Sequence, residues 1–99
     1  MPKQKRKATK KVIKPGKDIN DSMVQGLREK ILSFIGQGVK EIIMDFNGVV
    51  NIDSTGLGLL IAAHNSLSNV GGSLKIKNMH ENINKFMQII NIDRHIEIV

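Results

Sequence analysis

Short runs of branched apolar residues alternate along this chain with segments of helical period, and that alternation restricts the fold more tightly than any other feature. "EIIMDF", from Glu41 to Phe46, is a continuous apolar run, too short for a helix and suited to a strand covered on both faces. "SLKIK" alternates as a strand does, and "HIEIV" closes the sequence as a further strand. Ahead of the first run, Met23 or Val24, Leu27, Ile31 and Phe34 or Ile35 recur at steps of three and four, with Arg28, Glu29 and Lys30 on the opposite face. From Thr55 to about Asn69, the residues Leu57, Leu59, Leu60, Ile61, Ala62, Ala63 and Leu67 predict a second helix. Met79, Ile83, Phe86, Met87 and Ile90 predict a third. Helices between strands call for right-handed crossovers, so the expected class is α/β, with a mostly parallel sheet flanked by helices.

Turn and cap residues fall between these segments. Val12 and Ile13 suit a short edge strand, which Pro15 and Gly16 bring to an end. Asn20, Asp21 and Ser22 supply N-cap side chains for the first helix. Gly36 or Gly38 can end it in the left-handed conformation, and "VGG" stops the second helix. "VVNI", Val49 to Ile52, reads as a bent extension of the "EIIMDF" strand.

The chain has 99 residues, which fits one small domain, and no apolar run long enough to insert into a membrane. Cysteine is absent, so disulfides, thiolate metal ligands and a thiol nucleophile are excluded. That agrees with a reducing cytoplasm, as does a basic N-terminus without the apolar stretch of a signal peptide. Eight of the fifteen basic residues (Lys3, Lys5, Arg6, Lys7, Lys10, Lys11, Lys14 and Lys17) precede the first acid, Asp18. Seven bases then face nine acids, so the body carries a net charge of −2 although the chain as a whole carries +6. Residues 1–11 are expected to form a basic disordered tail and residues 12–99 the domain.

The candidate site is "NIDSTGLG", where an apolar run meets an acid, two hydroxyls and two glycines at the entrance of a helix. The first-turn N–H groups lack helical partners and the macrodipole adds partial positive charge, so an anion on the Ser54 oxygen would be favoured there. Ser54 or Thr55 could equally serve as an ordinary cap. Each glycine in a helix costs about 0.8–1.0 kcal/mol relative to alanine, so Gly56 and Gly58 need a reason. Either they let helix and sheet approach closely, or they leave the face around Ser54 bare for a partner. Gly56 is expected to matter more for that access than for stability.

Enzyme signatures are missing. "DSTGLG" lacks the first glycine of a nucleophile elbow, and no histidine and acid spacing completes a triad. Neither a P-loop nor a complete dinucleotide fingerprint is present. His64, His80 and His95 show no metal-ligand spacing and read as surface or cap residues. With three aromatics, all Phe, there is no obvious stacking platform for bases, so nucleic-acid binding through the basic tail would be non-specific. No cofactor, metal or catalytic residue is expected.

The ordered series "IIMDFNGVVNIDSTGLGLLIAAHNSLSNVGGSLKIKN" and "INKFMQIINIDRHIEI" resembles the STAS domain family, whose best-known members are bacterial anti-sigma factor antagonists. The resemblance runs from about Pro15 to Val99. It implies a four- or five-stranded sheet, no catalysis, and partner switching controlled by phosphorylation. The family's phosphate acceptor, the serine after the motif's Asp, maps to Ser54, with Thr55 as second choice. Asp53 would orient the Ser54 hydroxyl or the turn, and Asp53, Ser54, Thr55, Gly56, Leu57 and Gly58 would form the partner-binding surface. The implied partners are a serine kinase that is also an anti-sigma factor, and a phosphatase; the alternative is an adaptor in a chemosensory or stress complex. Against the family pattern, the N-terminal strand pair is reduced, a last helix is missing, and Asn91 stands where glycine is common. A reduced edge invites pairing, so a homodimer through the exposed edge strand, or docking of another protein there, is also expected.

Overall fold

The structure, a computed structural model, describes residues 9–89 and 96–99. Strand β1 (Lys10–Ile13) leads to helix α1 (Asp21–Gly36), β2 (Glu41–Asp45), α2 (Ser54–Asn69), β3 (Ser73–Lys77), α3 (Glu81–Ile89) and β4 (Glu97–Ile98). The strands lie in chain order, β1-β2-β3-β4, and every pair is parallel. The expected class therefore stands, with four strands and all pairs parallel. β1 begins at Lys10, inside the span expected to be a tail. Ile90, Asn91 and His95, and residues 1–8, lie outside the described residues.

One core joins the three helices to one side of the sheet. It contains Ile31 from α1, Leu57, Leu59, Leu60, Ala63 and Leu67 from α2, and Ile83 and Met87 from α3. The strands contribute Ile13, Ile42, Met44, Leu74 and Ile76, which alternate along their strands and so share a face. Three crossovers of the same hand, stepping the same way across the sheet, produce this arrangement. The other face carries Val12, Ile43, Asp45, Lys75 and Glu97. Ile43 is buried there outside the main core, and the Lys75 ammonium lies 3.0 Å from Glu41 and 4.0 Å from Glu97 across the strands.

Helix boundaries follow local chemistry. Asn20 caps α1, its Oδ1 accepting from the Ser22 N–H at 3.1 Å. At the other end Gly38 takes a φ of 93°, while Val39 N–H donates to Phe34 O and Gly38 N–H to Ile35 O. That is a Schellman closure, and Val39 completes it by entering the core. The same closure ends α2: Gly71 has a φ of 76°, and Gly72 N–H donates to Leu67 O at 2.7 Å. His80 acts as the cap expected of it, its Nδ1 accepting from the Asn82 N–H at 3.0 Å ahead of α3.

"VVNI" does not extend β2. β2 ends at Asp45, a turn runs through Asn47 and Gly48, and Ile52 returns as a single parallel bridge to Ile19. Asp45, only 5% exposed, is the reason the strand stops there. Its carboxylate accepts from Asn78 Nδ2 at 2.9 Å and from the Asn47 N–H at 3.0 Å, which closes an Asx turn. The Asn78 amide first, then the Asn47 N–H, hold its pKa below the ordinary carboxylate range.

Candidate functional site

The strand end, bridge and helix start bring "NIDSTGLG" to the carboxyl end of the sheet. Asp53 is the N-cap of α2: its Oδ1 accepts from the Gly56 N–H at 2.9 Å and from the Thr55 hydroxyl at 2.7 Å. Those two donors, in that order, hold its pKa low, and the backbone N–H groups of Asp21 and Thr55 add to the effect. Asp53 thus orients the turn and Thr55, and among the described residues it makes no hydrogen bond to the Ser54 hydroxyl. Ser54 is the first residue of the helix, exposed, and its Oγ has no hydrogen-bond partner among the described residues. Neither Ser54 nor Thr55 is the cap; the acid before them is.

The loop before α1 supports this turn from the side. Ile19 N–H donates to Asn51 O at 3.3 Å, and Asp53 N–H donates to Ile19 O at 3.2 Å. Asp18 Oδ1 accepts from Val50 N–H at 2.9 Å and from Asn51 N–H at 3.0 Å. The Asn51 and then the Val50 N–H lower the Asp18 pKa. Asp18 and Ile19 are therefore positioning residues for the Ser54 turn. Asn51 and Ile52 also line a shallow groove with Asn82, Ile83 and Phe86 of α3. Phe86, counted in the sequence with the apolar face of its helix, is 41% exposed beside that groove.

The two glycines differ in kind. A Cβ on Gly58 would meet nothing within 4 Å, whereas one on Gly56 would lie 2.6 Å from Ile52 Cγ1 and 2.9 Å from Ile19 Cγ2. Close packing thus accounts for Gly56, and the expectation that it serves access more than stability is corrected. Leu57 is buried in the core, so the open surface of the turn consists of Asp53, Ser54, Thr55 and Gly58. Gly56→Ala is expected to lower stability by about 1–3 kcal/mol through overpacking. Gly58→Ala should raise it by about 0.8–1.0 kcal/mol through helix propensity. Chemical denaturation of both variants checks the opposite signs.

Acid should loosen this junction. Asp18, Asp45 and Asp53 all have folded-state pKa values below the ordinary carboxylate range. The unfolded chain therefore takes up protons first as pH falls, so the stability these groups contribute is complete above about pH 5 and lost below it. Melting temperatures between pH 7 and pH 3 should fall on the acid side, and Asp18→Asn should flatten that limb. An unchanged slope in Asp18→Asn would show that its two N–H contacts do not persist in solution.

The STAS domain model matches residues 2–99. The chain belongs to the STAS domain family. Among STAS relatives, it is 32% identical over 72 residues to the anti-sigma-B factor antagonist of Bacillus subtilis (strain 168), a match covering 73% of this chain and 65% of that protein. The unphosphorylated form of the Bacillus anti-sigma factor antagonist SpoIIAA superposes with a TM-score of 0.76 at 25% identity, over 96% of this chain and 84% of that one. The Thermotoga maritima protein TM1081 gives a TM-score of 0.81 at 24% identity, over 89% and 71% of the two chains, and supports the fold. This STAS domain therefore has anti-sigma factor antagonists among both its relatives and its structural neighbours. Among its described residues no helix is long and apolar enough to cross a membrane, and no cluster of three or more potential metal ligands occurs.

Proposed function

We propose that this STAS domain is a phosphorylation-controlled partner-switching protein of the bacterial cytoplasm. It acts as an anti-sigma factor antagonist, binding a serine kinase that is also an anti-sigma factor while Ser54 is unphosphorylated, and a phosphatase resets it. The observation that carries this reading is the unequal state of the two hydroxyls: Ser54 is exposed and unengaged among the described residues, while Thr55 is spent on Asp53 at 2.7 Å. A kinase acting on Thr55 would have to break that bond and place a dianion against a carboxylate. On Ser54, the phosphate stays in water at a helix N-terminus, where the dipole favours an anion by about 0.3–1 kcal/mol. SpoIIAA, to which the chain is similar, is known in both an unphosphorylated and a phosphorylated form, which supports the same reading. The domain itself performs no catalysis in this scheme.

Phosphopeptide mapping after incubation with the cognate kinase and ATP tests the assignment. The expected result is a single phosphate on Ser54, lost in Ser54→Ala and kept in Thr55→Ala. Phosphate on Thr55 alone would overturn it.

A further inference from the structure

We propose that the outer edge of β1 is a docking strand for an extended, acidic segment of another protein, a surface separate from the Ser54 turn. β1 is an edge of the sheet. Thr9 O accepts from the Lys40 and Glu41 N–H groups, so Thr9, Lys11 and Ile13 direct their backbone groups toward β2. By the alternation of a strand, the N–H and C=O groups of Lys10 and Val12 point away from the sheet. Nothing among the described residues pairs with them.

Side chains specify what could be added there. Ile13 is buried in the core and Lys11 lies with its Nζ 5.6 Å from the centroid of the Phe34 ring, so these two face the helices. Lys10, Val12 and Lys14 occupy the opposite face, where Val12 is 44% exposed beside the buried Ile43. Lys10 forms no ion pair among the described residues, because its cross-strand neighbour Glu41 is taken by Lys75 at 3.0 Å. The face thus reads basic, apolar, basic at positions two apart. A second copy of β1 in antiparallel pairing would set lysine against lysine, and like charges directly opposite are destabilising. Edge lysines suppress self-pairing for this reason. The complementary strand reads acidic, apolar, acidic at the same spacing, so that main-chain hydrogen bonds supply affinity and the alternate side chains supply specificity. This occupant replaces the homodimer as the expected partner of the edge.

The test uses the full chain and a synthetic blocked peptide, Glu-Thr-Val-Thr-Glu, with Gln-Thr-Val-Thr-Gln as control. Titration followed by amide NMR should shift the Lys10 and Val12 resonances and slow their hydrogen exchange, with the glutamine peptide at least tenfold weaker. Val12→Pro removes an N–H that makes no bond to β2, as edge strands tolerate, and should abolish binding while the melting temperature holds. Lys10→Glu, which keeps every backbone group, should lose the acidic peptide as well. Peptide binding that survives both variants would overturn the proposal. So would concentration-dependent dimerisation in sedimentation that Val12→Pro abolishes, because the edge would then belong to a second copy. Binding of a single-stranded oligonucleotide that competes with the peptide and is indifferent to Val12→Pro would also overturn it, showing general attraction to lysine. Ser54→Ala should leave peptide binding unchanged, so failure here is separable from failure of the phosphorylation mapping.

Discussion

Ser54→Asp is expected to bind the proposed kinase partner at least tenfold more weakly than the unmodified domain, Ser54→Ala is expected to bind it undiminished, and neither variant should lose thermal stability. The separation of affinity from stability follows from where the side chain sits. Ser54 opens α2, exposed and with its hydroxyl unengaged among the described residues, so a carboxylate placed there breaks no hydrogen bond. In the free domain it meets the positive end of the helix dipole, worth about 0.3–1 kcal/mol when exposed. In an interface centred on Asp53, Ser54, Thr55 and Gly58 the same charge must be desolvated next to the Asp53 carboxylate, and each 1.4 kcal/mol of that penalty weakens binding tenfold. A phosphate, with about −1.5 to −2 charges and three acceptor oxygens, should exceed the aspartate in effect. Calorimetric titration of the partner with each form, alongside melting curves, checks this. Equal affinity of phosphorylated and unphosphorylated protein would remove the switch, whereas a Ser54→Asp variant that merely melts earlier would show that Ser54 has a structural duty its surroundings do not reveal.

Gly72→Ala is expected to be the most damaging alanine substitution among the glycines, lowering stability by about 3 kcal/mol or more. A Cβ there would lie 2.1 Å from the carbonyl oxygen of Lys40 and 2.9 Å from its carbon. Unlike Gly56, whose neighbours are isoleucine side chains, Gly72 faces backbone. Each side of the contact is held: Ser73 N–H donates to Lys40 O at 2.8 Å, and Gly72 N–H donates to Leu67 O at 2.7 Å. Relief requires β2 to move away from the end of α2, which would break the first bond of the β2–β3 ladder. Against a total of about 5–15 kcal/mol for a domain, the loss is a large fraction. In a chain of this length each kcal/mol corresponds to roughly 4–8 °C, so the melting temperature should fall by more than about 12 °C. A fall of less than about 4 °C would mean that the β2–α2 junction is more yielding than its hydrogen bonds suggest.

Much of this architecture is legible in the sequence because it is local. Branched runs, helical periods of three and four, and the glycines of "GQGV" and "NVGG" are decided by side-chain shape and backbone freedom within a few residues. They place the strands and helices, and with right-handed crossovers they imply a parallel sheet. The acid, two hydroxyls and glycines at the start of α2 mark the candidate site for the same reason, since orphan N–H groups occur wherever a helix begins.

Only the tertiary structure assigns the duties inside that site. Asp53 rather than a hydroxyl caps α2, and it ties up Thr55 instead of Ser54, at a turn that the Ile19–Ile52 bridge and the bond from Asp53 N–H to Ile19 O join to the loop before α1. Asp18 gave no local sign of its role, since the N–H groups it holds belong to residues 32 and 33 positions away. Gly56 and Gly58 look alike in the sequence, and they part company only when Ile19 and Ile52 close over one of them. Periodicity and capping depend on neighbours along the chain, but burial, accessibility and the choice of hydrogen-bond partner depend on which distant segments the sheet brings together. That is why the elements and the candidate turn could be read from local pattern, while packing between distant segments sets which residues of that turn face outward.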